Sequence, residues 1–396
     1  VVAWLLLLLG TAGAVLFSAA AGGKRIWPAV LVNLLFWSGI SMGGVVFSGI
    51  VEMTNSRWGR PFKRIAELST AFLPVSFLVF VAVIFFGSET LGWNTGAVKR
   101  IWLTMPFLAV RDISGLAVLY TVALYYVFLS LRPDMGKLME EGRREHPLLR
   151  RLMLSGWKGS DTEVERKQSA VRIFAPILIL LFCVIETLIG IDFVMALDPA
   201  WFSTLFGAFF FMGYLYTGLA FTAVVAILLK RRMSLGEISA DHMHDHGKLL
   251  FGICLIVGDF FWSQFLVIWY GNLPEETSFV ILRAKEAPWA PFGWTVLAVA
   301  FVIPFISLIG KKLKTSATGL LAISLVILIG MWLEKYLFVV PSIVRGTAGI
   351  PFGLPEISIT AAFAGIFLLA FIDAMGRFPI LPITDPLFHE SQAAAH

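Results

Sequence analysis

Residues 172–195 read RIFAPILILLFCVIETLIGIDFVM, and after the five residues ALDPA the chain runs on over 201–229 as WFSTLFGAFFFMGYLYTGLAFTAVVAILL. Each run exceeds the roughly 20 mostly apolar residues a helix needs to cross hydrocarbon. A connection this short folds two such helices back on one another as antiparallel neighbours. The chain therefore crosses a membrane more than once. Working outward, eight more stretches have the same character: 1–21, 27–51, 66–87, 104–131, 248–270, 289–309, 317–340 and 355–376. The expectation is an all-α polytopic membrane protein of about ten spans.

Composition agrees. Of 396 residues, 58% are hydrophobic and 14% charged, where a soluble domain carries roughly a quarter charged. The 35 glycines suit helices that approach closely in lipid. The first run ends in Ala19-Ala20-Ala21, which mimics a signal-peptide cleavage site. It lacks a basic leader and is long enough to span, so it reads as a span. The chain opens on Val1 without Met, so residues are expected before it. Only 132–171 is a long hydrophilic connection, rich in charge at Arg143, Arg144, Glu145, Arg150 and Arg151, and it reads as a helical cap on one membrane face. Pro74, Pro106, Pro176 and Pro304 fall inside the expected spans, where each removes a backbone bond and favours a kink.

The net charge of +5 resides in the connections. Those after spans two, four, six and eight, with the C-terminal tail, carry 21 Lys and Arg, against 7 in the opposite connections. This bias points to membrane topology rather than nucleic acid, and it places the basic face and both termini in the cytoplasm.

Ionisable residues inside spans are expensive and mark functional candidates. Here they are Arg111 and Asp112 in span four, Glu186 and Asp192 in span five, Asp259 in span seven, and Glu334 with Lys335 in span nine. Glu52 and Asp373 lie near span ends, where solvation is easy, and carry little weight. Asp259 stands near the middle of span seven. At 100° per residue it shares a face with Lys248, Gly252, Ser263 and Tyr270. The span is preceded by Asp241-His242-Met243-His244-Asp245-His246. Three readings of the His242, His244 and His246 run stay open: a solvated loop, a proton antenna, or a zinc site. A relay from these groups and Lys248 through Asp259 towards Glu334 and Lys335 competes with a plain interhelical hydrogen bond at Asp259. Arg111 and Asp112 are adjacent, so they are expected to point to different faces, and an Arg–carboxylate pair between spans four and five is expected.

None of the histidines, at 146, 242, 244, 246, 389 and 396, is mid-span, and Cys183 and Cys254 are the only cysteines. A transmembrane haem needs His ligands in helix interiors and a cluster needs about four thiolates. The chain is expected to bind neither haem, cluster nor metal, and no residue carries a catalytic role.

Three stretches carry a resemblance: RWGRPFKRIAE at 57–67, running on to FLP at 72–74; DFVMALDPAWFSTLFG at 192–207; and HGKLLFG at 246–252 with SQ at 263–264 and WYGNLPEET at 269–277. Together they resemble the NrfD-like membrane subunits of alternative complex III, a bacterial quinol:electron-acceptor oxidoreductase of respiratory or photosynthetic chains. The shorter, ActF-type subunit is the nearer in length. The resemblance implies two four-helix bundles, 27–195 and 196–340, flanked by a first span within 1–26 and a last span and tail within 341–396. It implies the bacterial inner membrane, lipid contacts, and as partners a paralogous membrane subunit, an iron–sulfur subunit and cytochrome c subunits. Haem c, iron–sulfur clusters and quinol belong to that complex, with proton conduction as this chain's part. Quinol oxidation by the chain itself at Asp112, Glu186 or Asp192, secondary transport through Pro-broken helices, and a purely structural role stay open.

Overall fold

The computed structural model describes residues 2–21 (of 14–21 the backbone alone), 25–93, 102–142, 153–198, 200–233, 238–344 and 349–393. Among them every regular element is a helix. Among the described residues nine helices are long and apolar enough to cross a membrane, and α1 (Val2–Ala21) joins them as a further apolar helix. The chain is an all-α polytopic membrane protein. The charged residues singled out between 143 and 151, and Pro199, lie outside the described residues.

The first bundle holds α2 (Ile26–Met53), α3 (Arg60–Leu68) continued by α4 (Leu73–Leu91), α5 (Met105–Glu140) and α6 (Ser160–Phe193). The second holds α7 (Phe206–Met233), α8 (Ala240–Gly271), α10 (Trp289–Leu297) continued by α11 (Ile303–Ile309), and α13 (Ala317–Ile343). Short helices α9 (Pro274–Ala284) and α12 (Lys311–Thr315) lie at opposite ends of the second bundle. The last span is α14 (Leu354–Arg377), followed by α15 (Pro386–Ala393) on the basic face.

Small residues set the packing. The bundles meet along α2 and α7, both largely buried. A Cβ on Gly43 would lie 2.0 Å from the Tyr214 carbonyl oxygen, and one on Gly218 would lie 2.4 Å from the Gly43 carbonyl carbon. In lipid, where apolar burial gives little drive, such close backbone approach supplies the contact. α1 lies on α14 in the same way: a Cβ on Gly10 would meet Ala362 N at 2.3 Å, and one on Gly365 would meet Leu7 N at 2.5 Å.

The prolines mostly sit where helices change character rather than where they bend. Pro106 is in the first turn of α5, where its missing N–H is no loss. Pro74 opens α4 directly after a 3₁₀ turn, Ser69–Phe72, and Pro304 follows a π-helical turn, Ala298–Val302. Only Pro176, of the four, lies within a continuous helix. The hydrophilic connection also differs from expectation. Its first part, through Glu140, prolongs α5, and residues from Ser160 onward begin α6.

Local chemistry fixes the turns opposite the basic face. Asn272 takes a left-handed conformation (φ 46°) that caps α8, and Pro274 starts α9 with Glu275 and Glu276 in its first turn. Trp201, just past the 196–200 connection, stacks on Phe279 of α9 with ring centroids 3.8 Å apart.

Candidate functional site

The basic residues of the segment 57–67 are not all in solvent. Arg60, Lys63, Arg64 and Glu67 recur at i, i+3, i+4 and i+7, which puts them on one face of α3. That face turns into the protein, and all four are buried. Arg64 pairs with Glu67 and with Asp134 of α5, its Nε donating to Asp134 at 3.0 Å and its Nη1 to Ser130 Oγ at 2.9 Å. Arg60 lies 2.8 Å from both Glu52 and Asp385, and Lys63 pairs with Glu52. Lys167 of α6 closes the cluster at 3.3 Å from Asp385 and 3.5 Å from Glu52. Four cations face four carboxylates, so the buried charge is balanced, as burial of ions requires. Glu52, expected to be solvated, is instead an anchor of this cluster with its side chain 11% exposed.

Asp385 arrives from the tail between α14 and α15. Burial pushes its carboxyl up, but Lys167, Lys63 and Arg60 outweigh that and hold it below the ordinary value of 3.8. Next to it, Thr384 donates to Asp134 through N at 2.9 Å and Oγ1 at 2.5 Å. Thr384 also lines a cavity of about 920 Å³ on the basic face, with Glu140, Glu141, Asp161, His389 and Glu390 in its walls.

From this cluster polar groups continue inward. Ser48 Oγ donates to Glu67 Oε1 at 2.7 Å and lies 2.9 Å from the Tyr126 hydroxyl, and Ser130 donates to the same Glu67 oxygen at 2.8 Å. Further along are the pairs Ser76–Tyr120 (3.1 Å) and Ser38–Tyr214 (3.4 Å). Glu186 is 1% exposed, and its Oε1 has no hydrogen-bond partner among the described residues. Lys335 is also buried, 2.8 Å from Glu334 and 4.8 Å from the centre of the Phe210 ring.

Near the opposite face, Arg111 donates to Asp192 at 2.5 Å and to Asp112 at 3.1 Å. Trp102 Nε1 donates to Asp192 at 2.7 Å, and the Arg111 guanidinium lies 4.0 Å from the Trp102 ring centre. The pair between spans four and five thus forms, with Asp192 as the carboxylate. Arg111 and Asp112 do not part to separate partners: they touch each other. Asp112 Oδ2 is buried with no hydrogen-bond partner among the described residues.

One helix measures the whole arrangement. Asp112, Tyr120, Tyr126, Ser130 and Asp134 of α5 are all buried. From Asp112 to Asp134 a helix rises about 33 Å, close to the hydrocarbon thickness.

Span seven is arranged differently. Asp259 and Tyr270 are exposed, Ser263 is half-buried, and Lys248 is exposed and paired with Asp245 at 2.7 Å. The stripe faces away from the bundle interior, whereas Glu334 and Lys335 are buried within it. The histidine run is the first turns of α8, not a loop. His242 completes a capping box with Ser239. His246 is fully buried 4.6 Å from the Phe62 ring, its Nε2 3.0 Å from the Leu219 carbonyl oxygen. His244 is half-buried, and no metal-holding group of His, Cys, Asp and Glu occurs among the described residues.

The sequence reading thus missed Glu52, Glu67, Asp134, Lys167 and Asp385. The i, i+3, i+4, i+7 spacing in 60–67 was the available signal; the others are joined to α3 only by tertiary packing. No protein-family model and no curated protein matches the chain, so the site is read from its own residues.

Proposed function

We propose that this chain is an integral membrane subunit of a quinol:electron-acceptor oxidoreductase of the alternative complex III type, and that its buried polar column carries protons across the membrane. The observation that supports conduction most directly is the α5 register: buried polar or ionisable groups recur from Asp134 to Asp112, over a membrane's thickness. Uncharged scaffolds have no use for such groups, since each costs free energy to bury. The complex is proposed from the resemblance of 57–67 with 72–74, of 192–207, and of 246–252 with 263–264 and 269–277. With it come a bacterial inner membrane, cytoplasmic termini, a paralogous membrane subunit, and iron–sulfur and cytochrome c subunits that hold the redox groups.

In this reading protons gather in the acidic cavity beside Thr384 and reach the cluster of Asp134 and Glu67. They pass by Ser48 and Tyr126, with water bridging the longer steps, to Glu186. A carboxyl without a fixed partner on one oxygen has room to rotate and to exchange its proton with either side. Asp112, Asp192 and Arg111 form the mouth on the opposite face. Conduction here runs through the first bundle and its seam, not along α8.

The test is Glu186→Gln in the intact complex, purified with its native partners and sealed into vesicles with a pH-sensitive dye. Gln keeps size and hydrogen bonding but removes the exchangeable proton. Proton movement per electron from quinol should fall by about tenfold or more at unchanged assembly. A wild-type proton-to-electron ratio and turnover in the assembled variant would remove Glu186 from any path.

A further inference from the structure

The outward face of α8 carries an exposed carboxylate where lipid alone is a poor environment. Lys248, exposed and tied to Asp245, marks its basic end. Trp269 and Tyr270, 63% and 83% exposed, mark the other, as lysines and aromatic residues do at membrane interfaces. Asp259 is eleven residues from Lys248 and eleven from Tyr270, about 16 Å from either marker along the helix. Its side chain is too short to reach either interface. It is exposed, and no hydrogen bond or ion pair engages it among the described residues. Around it on the same face lie Leu255, Trp262 and Gly252, and a Cβ on Gly252 would meet nothing within 4 Å.

Charge decides what covers this face. A carboxylate held in hydrocarbon costs at least a few kcal/mol. A second copy apposed symmetrically would set Asp259 against Asp259. Among the described residues a shifted second copy has no free cation to offer at this depth, because the cations away from the span ends, Arg111 and Lys335, are engaged inside the chain. We propose that α8 docks a transmembrane helix of a different protein, whose Lys or Arg at mid-membrane depth pairs with Asp259 while the Gly252 notch admits the helix closely. This inference stands apart from proton conduction, for Asp259 lies outside the buried column.

A photo-crosslinking amino acid placed at Leu255, in native membranes, tests it. The same probe at Leu180 of α6, 66% exposed, serves as the lipid-facing control. Position 255 should capture one transmembrane segment that contains a Lys or Arg. Asp259→Leu should cut that product by about tenfold or more, and exchanging the charges, Asp259→Lys with the partner's cation replaced by Asp, should restore it. No hydrogen bond or ion pair engages Asp259 among the described residues, so an unchanged melting temperature of the detergent-solubilised Asp259→Leu chain separates lost docking from lost folding. Capture of lipid only, of a second copy of this chain, or of a segment without a basic residue would overturn the proposal. So would a product that survives Asp259→Leu unchanged.

Discussion

Two regions of this protein show the same signature in sequence, ionisable side chains within apolar helices, and meet opposite ends in space. In the first bundle, Glu67, Asp134, Glu186 and Asp192 are at most 1% exposed. On α8, Asp259 points out of the molecule from a helix of similar apolarity. Helical periodicity tells which residues share a face. It does not tell whether that face meets the bundle or its surroundings. In a soluble protein the polar face is the outer one, and the ambiguity does not arise. In a membrane both sides of a span are apolar, so a polar stripe marks either a protein interior or a docking face, and only packing decides between them.

The largest effect that could break this comparison lies at Arg64. Its guanidinium holds Glu67 and Asp134 where water does not reach. Arg64→Met leaves buried Asp134 without its cation and Glu67 with only Lys63, at 3.7 Å, a loss of about 3–5 kcal/mol for a broken buried pair. The melting temperature of the detergent-solubilised chain should fall steeply. Arg64→Met combined with Asp134→Asn should recover most of the loss, because three cations then face three carboxylates and the penalty comes from unpaired charge. If Arg64→Met melts as the wild type does, the cluster is hydrated, and the contrast with α8 disappears.

How far the fold was legible follows from the same physics. Span 27–51 sits inside α2 (Ile26–Met53) and span 355–376 inside α14 (Leu354–Arg377), because length and apolarity alone define a crossing. Span 104–131 stopped nine residues short of the end of α5, at Glu140. There Arg132 and Asp134 lower the hydropathy, yet the helix goes on, since Arg132 finds Glu163 at 2.8 Å and Asp134 finds Arg64. Within the site, Arg111, Asp112, Glu186, Asp192, Glu334 and Lys335 stood out as charges inside spans. The tail residue Asp385 could not: it meets Arg60 across 325 positions of sequence.

The tail supplies a smaller effect, with a defined pH dependence. The Asp385 carboxyl is held below 3.8 in the folded chain. Its contribution is therefore fully present above that value and is lost only as pH falls below it, through the folded pKa. From pH 5 to 8, proteolysis after Arg377 should show no pH dependence assignable to Asp385. Asp385→Asn should raise the cleavage rate about tenfold across that range, the scale of a lost charge-assisted hydrogen bond. A wild-type tail released between pH 7 and 5 would show that a group of higher pKa governs docking.

The smallest expected effect is the sharpest test of the contrast. Asp259→Asn changes a side chain that is exposed and engages no partner among the described residues. Surface substitutions of this kind lie within about 0.5 kcal/mol, so the isolated chain in detergent should melt as before. Detergent cannot supply the cation proposed for the docked helix, which removes the partner's contribution from the measurement. What remains is the chain's own use of Asp259. A drop of more than about 1 kcal/mol would mean that the carboxylate has an internal partner and that α8 turns Asp259 towards the bundle. The stripe of Lys248, Asp259 and Ser263 would then face the bundle, and a path along α8 towards Glu334 and Lys335 would rival the one through Glu186. An unchanged melt, set beside the collapse expected at Arg64, would show that burial rather than charge separates the two regions.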